Sequence, residues 1–189
     1  MKTLILLLTV LLLSASCKKE ERQETLPQVQ FKVPRSIIIP KIDTIANNAM
    51  LRIKLCKDSV NTDETALMFK SSASINYINN EDAEYLHGFG QVSLATISGD
   101  GKDLAINSLP YTPGMSIKLD VEAKTDGAYL LKVSYESNIP QSIQVWIRDN
   151  YMKDSVDVCK GNYLFNVVKA DSTTFGKKRF SVVLKDSRQ

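Results

Sequence analysis

The sequence predicts an all-β chain built as an antiparallel β-sandwich, immunoglobulin-like or jelly-roll-like. Three observations predict it. Beyond Met50, apolar and polar residues alternate with period two in one short segment after another. Turn-forming pairs such as Asp100-Gly101 and Asp126-Gly127 fall between those segments. The region offers a helix only a turn or two of sequence. Period two puts one face of each strand in a core and the other in water, which suits antiparallel pairing.

The elements follow in chain order. Met1-Lys2 opens a run from Leu4 to Leu13 that is apolar but for Thr9, and Ser14-Ala15-Ser16 follow. Charge, short apolar core and small residues are the parts of an export signal, here residues 1–16. The run is far shorter than the roughly 20 residues a membrane-crossing helix needs. Residues 17–40 are polar and charged, with Pro27, Pro34 and Pro40, and read as a tether. Phe31 and Ile37 to Ile39 are apolar enough to dock as an edge strand that Pro40 ends. Residues 41–189 then read as the sandwich region. It is one composite sandwich or two small ones divided near residues 111–115.

Within it, Leu51, Ile53 and Leu55 mark a strand, and Thr65, Leu67 and Phe69 a second. A turn or two of helix is expected between Asn80 and His87, capped by Asn79 or Asn80. Val92 with Leu94 and Leu104 with Ile106 follow, then Ile117, Leu119 and Val121. Tyr129, Leu131, Val133 and Tyr135 form a longer alternation, and Ile143, Val145 and Ile147 the next. Tyr163, Phe165 and Val167 precede the last strand, Phe180, Val182 and Leu184. Gly101, Gly127 and Gly161 are expected to supply positive backbone dihedrals at tight reversals.

Composition narrows the function. Without Lys2 the 24 basic side chains become 23 against 21 acidic, a net +2. That balance argues against nucleic acid as a partner. Loss of Cys17 to modification would leave Cys56 and Cys159 as the free thiols, each following an inward-type residue and so pointing outward. A disulfide between them stays open as an alternative. His87 is the one histidine, next to Gly88 and Gly90, and reads as a loop residue with neither a cysteine partner nor zinc-ligand spacing.

Several residues could form sites. Gln144, Trp146 and Arg148 alternate with the apolar set of their strand and so share its other face. A tryptophan beside an amide and a guanidinium can stack on a sugar or anchor a protein. The bland alternative is that Trp146 covers a second sheet or the docked tether. Asn79, Asn80, Glu81, Asp82 and Glu84 form one oxygen-rich cluster, and Asp100 with Asp103 another. Neither matches a calcium-loop spacing, so no metal is assigned. No catalytic residue and no cofactor is assigned either. A cleft with two converging acids is what a hydrolase reading would require.

Two resemblances add to this. Ala15-Ser16-Cys17 resembles the lipobox of bacterial lipoproteins, with Ser14 where leucine is usual. The resemblance implies that Cys17 is acylated and holds the chain on a membrane, an ordinary secretory signal being the alternative. Cys17-Lys18-Lys19-Glu20-Glu21 is similar to the surface-export tag of Bacteroidota lipoproteins, which implies exposure on the outer membrane, the periplasmic side being the alternative. Asp43-Thr44-Ile45, Asp58-Ser59-Val60, Asp154-Ser155-Val156 and Asp171-Ser172-Thr173 resemble Bacteroidota O-glycosylation sites, implying glycans on Thr44, Ser59, Ser155 and Ser172.

Asp63 to Phe69, Asp82 to Leu86, Leu94 to Thr96, Gly99 to Pro110, Ile117 to Leu119, Gly127 to Leu131, Val145 to Asp149, Tyr163 to Phe165 and Lys178 to Leu184 come in an order that resembles another group. This is the β-sandwich region near the C-terminus of type IX-secreted, adhesin-like Bacteroidota surface proteins. It implies a non-catalytic module that binds a glycan or an extracellular protein. A structural subunit of an envelope assembly is the alternative reading, and a hydrolase the third.

Overall fold

The computed structural model describes residues 45–187. The described residues all belong to one compact unit, residues 40–189. The signal, Cys17, the expected docking strand at Ile37 to Ile39 and Thr44 lie outside the described residues.

About half of the described residues lie in eleven strands. They are β1 (Ala49–Cys56), β2 (Thr62–Phe69), β3 (Ala83–Glu84), β4 (Val92–Ile97), β5 (Asp103–Leu109) and β6 (Ser116–Ala123). Then come β7 (Gly127–Ser137), β8 (Ile143–Asp149), β9 (Asp154–Asp157), β10 (Tyr163–Val167) and β11 (Phe180–Asp186). The all-β expectation holds. The strands form one succession, β10-β7-β1-β2-β5-β4-β6-β11-β8-β9, with β3 added on β5. Pairing is antiparallel except between β2 and β5. None of the described helices is long and apolar enough to cross a membrane.

The sheet curls until its ends approach, nearly forming a barrel. Phe165 of β10 meets Phe180 of β11 at 4.6 Å between ring centroids. Tyr163 of β10 donates to Asp149 of β8 at 2.8 Å. Arg179 completes the closure. Its Nη2 donates to Asp149 Oδ2 at 2.8 Å and its Nη1 to the Asn166 carbonyl of β10 at 2.8 Å. Both charges are buried. Burial alone would raise the Asp149 carboxyl, but Arg179, the Met152 amide and the Tyr163 hydroxyl together hold it below its ordinary value.

One core fills the curl, and it includes Leu51, Phe69, Leu94, Leu119, Tyr129 and Val182. Residues before and after the segment 111–115 share this core.

Four local expectations are corrected. No helix forms between Asn80 and His87. The Asp82 carboxylate takes the amides of Ile78 and Ser108, and the next residues pair with β5 as β3. Ile106 is exposed, because the β2–β5 register sets Leu67 beside Asn107 and Phe69 beside Leu109, which turns Asn107 and Leu109 inward. Tyr135 is also exposed. Arg52 pairs with Tyr135 and Ile53 with Val133, so Ser134 is the extra residue of a bulge that reverses the alternation. Finally, Gly101 and Gly127 have positive φ as expected, whereas Gly161 does not.

Candidate functional site

The strand alternation of β8 builds the first surface. Ile143, Val145, Ile147 and Asp149 point inward, and Gln144, Trp146 and Arg148 share the outer face as expected. Trp146 lies opposite Val183 of β11 on one side and Asp157 of β9 on the other. Its ring is half-buried. The indole Nε1 donates to Gln144 Oε1 at 3.3 Å, and Lys185 Nζ stands 4.3 Å from the ring. The surface is therefore an indole with the Lys185 ammonium over its ring, the Gln144 amide bound to its Nε1 and the exposed Arg148 on the same face. Sequence reasoning missed Lys185, although its register opposite Gln144 follows once β8 and β11 pair.

The other expected sites scatter. Ser59 is exposed in the β1–β2 turn, where Asp58 accepts the Val60 and Asn61 amides. Ser155 lies in β9 opposite Arg148. Ser172 is exposed in a short 3-10 turn, Ser172–Thr174, capped by Asp171. In these three segments the aspartate performs turn or strand-entry bonding, and the hydroxyl lies beside it. Cys56 and Cys159 are both free thiols. Partial burial pushes the Cys159 thiol up, the opposite of what an activated nucleophile needs. The two oxygen-rich clusters dissolve into separate roles. Glu84 pairs with Lys102, Asp100 accepts from Ser98 and Tyr77, and Asp103 turns elsewhere.

Asp103 belongs to a second feature, a cleft of about 630 Å³ over the outer faces of β5 and β6. His87, Asp103, Asp120, Glu122, Lys124 and Lys177 line it. Asp120 occupies an outward position of β6, between the inward Leu119 and Val121, yet is only 3% exposed. Lys177 reaches it because Gly176, at φ +83°, turns the chain and donates its amide to the Val121 carbonyl at 2.7 Å. Lys177 Nζ lies 2.7 Å from both Asp103 oxygens and 3.8 Å from Asp120 Oδ2. His87 Nε2 is 3.3 Å from Asp103 Oδ2. Asp120 Oδ1 has no hydrogen-bond partner among the described residues.

Burial first, then the negative charges of Glu122 and Asp103, push the Asp120 carboxyl up to about 6, while Lys177 and His87 oppose them. The hydrogen bond to Asp103 pushes Lys177 up in turn. Two acids thus converge, but the Lys177 ammonium bridges them. A hydrolase instead needs the space between its carboxylates for substrate. Among the described residues no group of three or more His, Cys, Asp or Glu side chains could hold a metal ion.

No family model, curated protein or solved structure matches this chain.

Proposed function

We propose that the chain is a Bacteroidota outer-membrane lipoprotein, anchored through acylated Cys17 and exposed on the cell surface. Its β-domain acts as a non-catalytic binding module for a glycan or an extracellular protein. In this reading the curled sheet is a flattened barrel whose two faces stack like a sandwich. The observation that carries the reading is the outer face of β8, where Trp146 donates to Gln144 and carries the Lys185 ammonium over its ring, beside exposed Arg148. A tryptophan set among polar and cationic groups suits sugars and protein hot spots alike.

The test is an array of glycans and extracellular proteins, probed with wild-type chain and Trp146→Ala. The reading expects binding by the wild type that the variant loses. Equal binding by both would remove the β8 face from the account.

A second reading has one observation in its favour. β10 ends the sheet, and Leu164 within it and Val168 just after it are 69% and 47% exposed. An end strand with apolar neighbours can recruit a partner strand, as a structural subunit of an envelope assembly would. Crosslinked pull-down from intact envelopes tests it, with Leu164→Lys expected to break the contact.

A further inference from the structure

The Asp120 cleft lies on β5 and β6, apart from the β8 face, and it has features of a site in its own right. A carboxylate that is nine-tenths buried and lacks a partner at one oxygen is costly unless something supplies that partner. Such groups concentrate at functional sites. The rim is cationic. Lys124 Nζ is bound to the Phe89 carbonyl at 2.8 Å, and Lys169 Nζ stands 3.6 Å over the Phe175 ring. Neither has a carboxylate partner among the ion pairs of the described residues. Phe89, whose carbonyl holds Lys124, is 99% exposed on the loop between Gly88 and Gly90, two residues that line the cleft.

These features select a ligand. At the rim an ammonium would meet Lys124 and Lys169 and is disfavoured there, while the floor presents the Asp120 and Glu122 carboxylates beside Lys177. A neutral hydroxyl can donate to the carboxylates without that repulsion. An acidic group can bind the rim lysines, and a pyranose ring offers a face to Phe89. We infer that the cleft binds a sugar acid, a uronic residue whose hydroxyls donate to Asp120 and Glu122 and whose carboxylate pairs with Lys124 and Lys169. This site stands independently of the β8 face.

The test uses the full-length chain in detergent and trimeric oligogalacturonate. Its fully methyl-esterified form keeps the hydroxyls but loses the charge, and free galacturonate separates a glycan-borne residue from a soluble acid. Calorimetry should show saturable binding of the trimer and at least about ten-fold weaker binding of the ester, the scale of one charge-assisted bond. Lys124→Gln, Asp120→Asn and Phe89→Ala should each weaken the trimer several-fold. Lys160→Gln, an equal charge change on the β9–β10 connection, should leave it unchanged. Preference for free galacturonate would assign the cleft to soluble sugar acids. No binding of either acid, equal binding of acid and ester, or binding untouched by the three cleft variants would overturn the assignment. Each of these leaves the Trp146 surface to its own test.

Discussion

Replacing Asp120 with asparagine should stabilise the domain at neutral pH relative to acid. The carboxyl is 3% exposed, lies beside Glu122 and Asp103, and titrates near 6 rather than 3.8. The folded chain therefore holds its proton to higher pH than the unfolded chain. Wild-type stability conferred by that proton is complete below about pH 4 and is lost as pH rises through about 6. At 1.36 kcal/mol per pH unit the full effect is about 3 kcal/mol, an upper bound. The cleft is open to water, which screens the Glu122 and Asp103 charges and softens the desolvation, so the expectation falls to roughly 1.5 kcal/mol. The variant removes the titration and nearly preserves the shape. Urea unfolding of both proteins at pH 4, 5, 6 and 7.5 should show the variant gaining on the wild type by that amount across the range. A gap that moves the other way would mean that Lys177 over-compensates the burial, and the reasoning would be wrong.

Other outcomes follow from single contacts. Arg179→Ala strands the buried Asp149 charge and frees the Asn166 carbonyl, so unfolding free energy should fall by roughly 3–5 kcal/mol in chemical denaturation. A Cβ on Gly99 would sit 2.6 Å from Asn76 Oδ1 and 3.1 Å from the Ile75 carbonyl, so Gly99→Ala should cost about 1–3 kcal/mol by thermal unfolding. Cys17→Ala should abolish incorporation of a labelled fatty acid in the native host and release the chain from membranes. Intact mass from that host should exceed polypeptide plus lipid, and the excess should shrink when Thr44, Ser59, Ser155 and Ser172 are replaced together.

The β-rich character was legible because the core faces of β1, β2, β6, β8, β10 and β11 are simple alternations, as in Leu51, Ile53 and Leu55. Where pairing overrode local pattern, legibility ended. The parallel β2–β5 register decided the fate of Ile106, and one extra residue at Ser134 decided that of Tyr135. Neither register is written within its own segment. β9 escaped notice because Asp154 to Asp157 is polar and short, and only β8 pairing makes it a strand. The shared face of Gln144, Trp146 and Arg148 needs nothing beyond alternation in one strand, so it could be read in advance. The cleft could not. Lys177 and Asp103 lie 74 positions apart and meet only through the turn at Gly176 and the β6 edge it binds. A lone histidine, scattered aspartates and a lysine carry no spacing signal that would join them.

Trp146 is the chain's one tryptophan, so intrinsic fluorescence reports on the proposed recognition face alone. The most direct measurement is a titration of the full-length chain with the ligand that the array identifies, following tryptophan emission. The account predicts a saturable change in emission whose midpoint matches the binding constant measured independently. Saturable binding that leaves the emission unmoved would contradict the assignment of recognition to the outer face of β8.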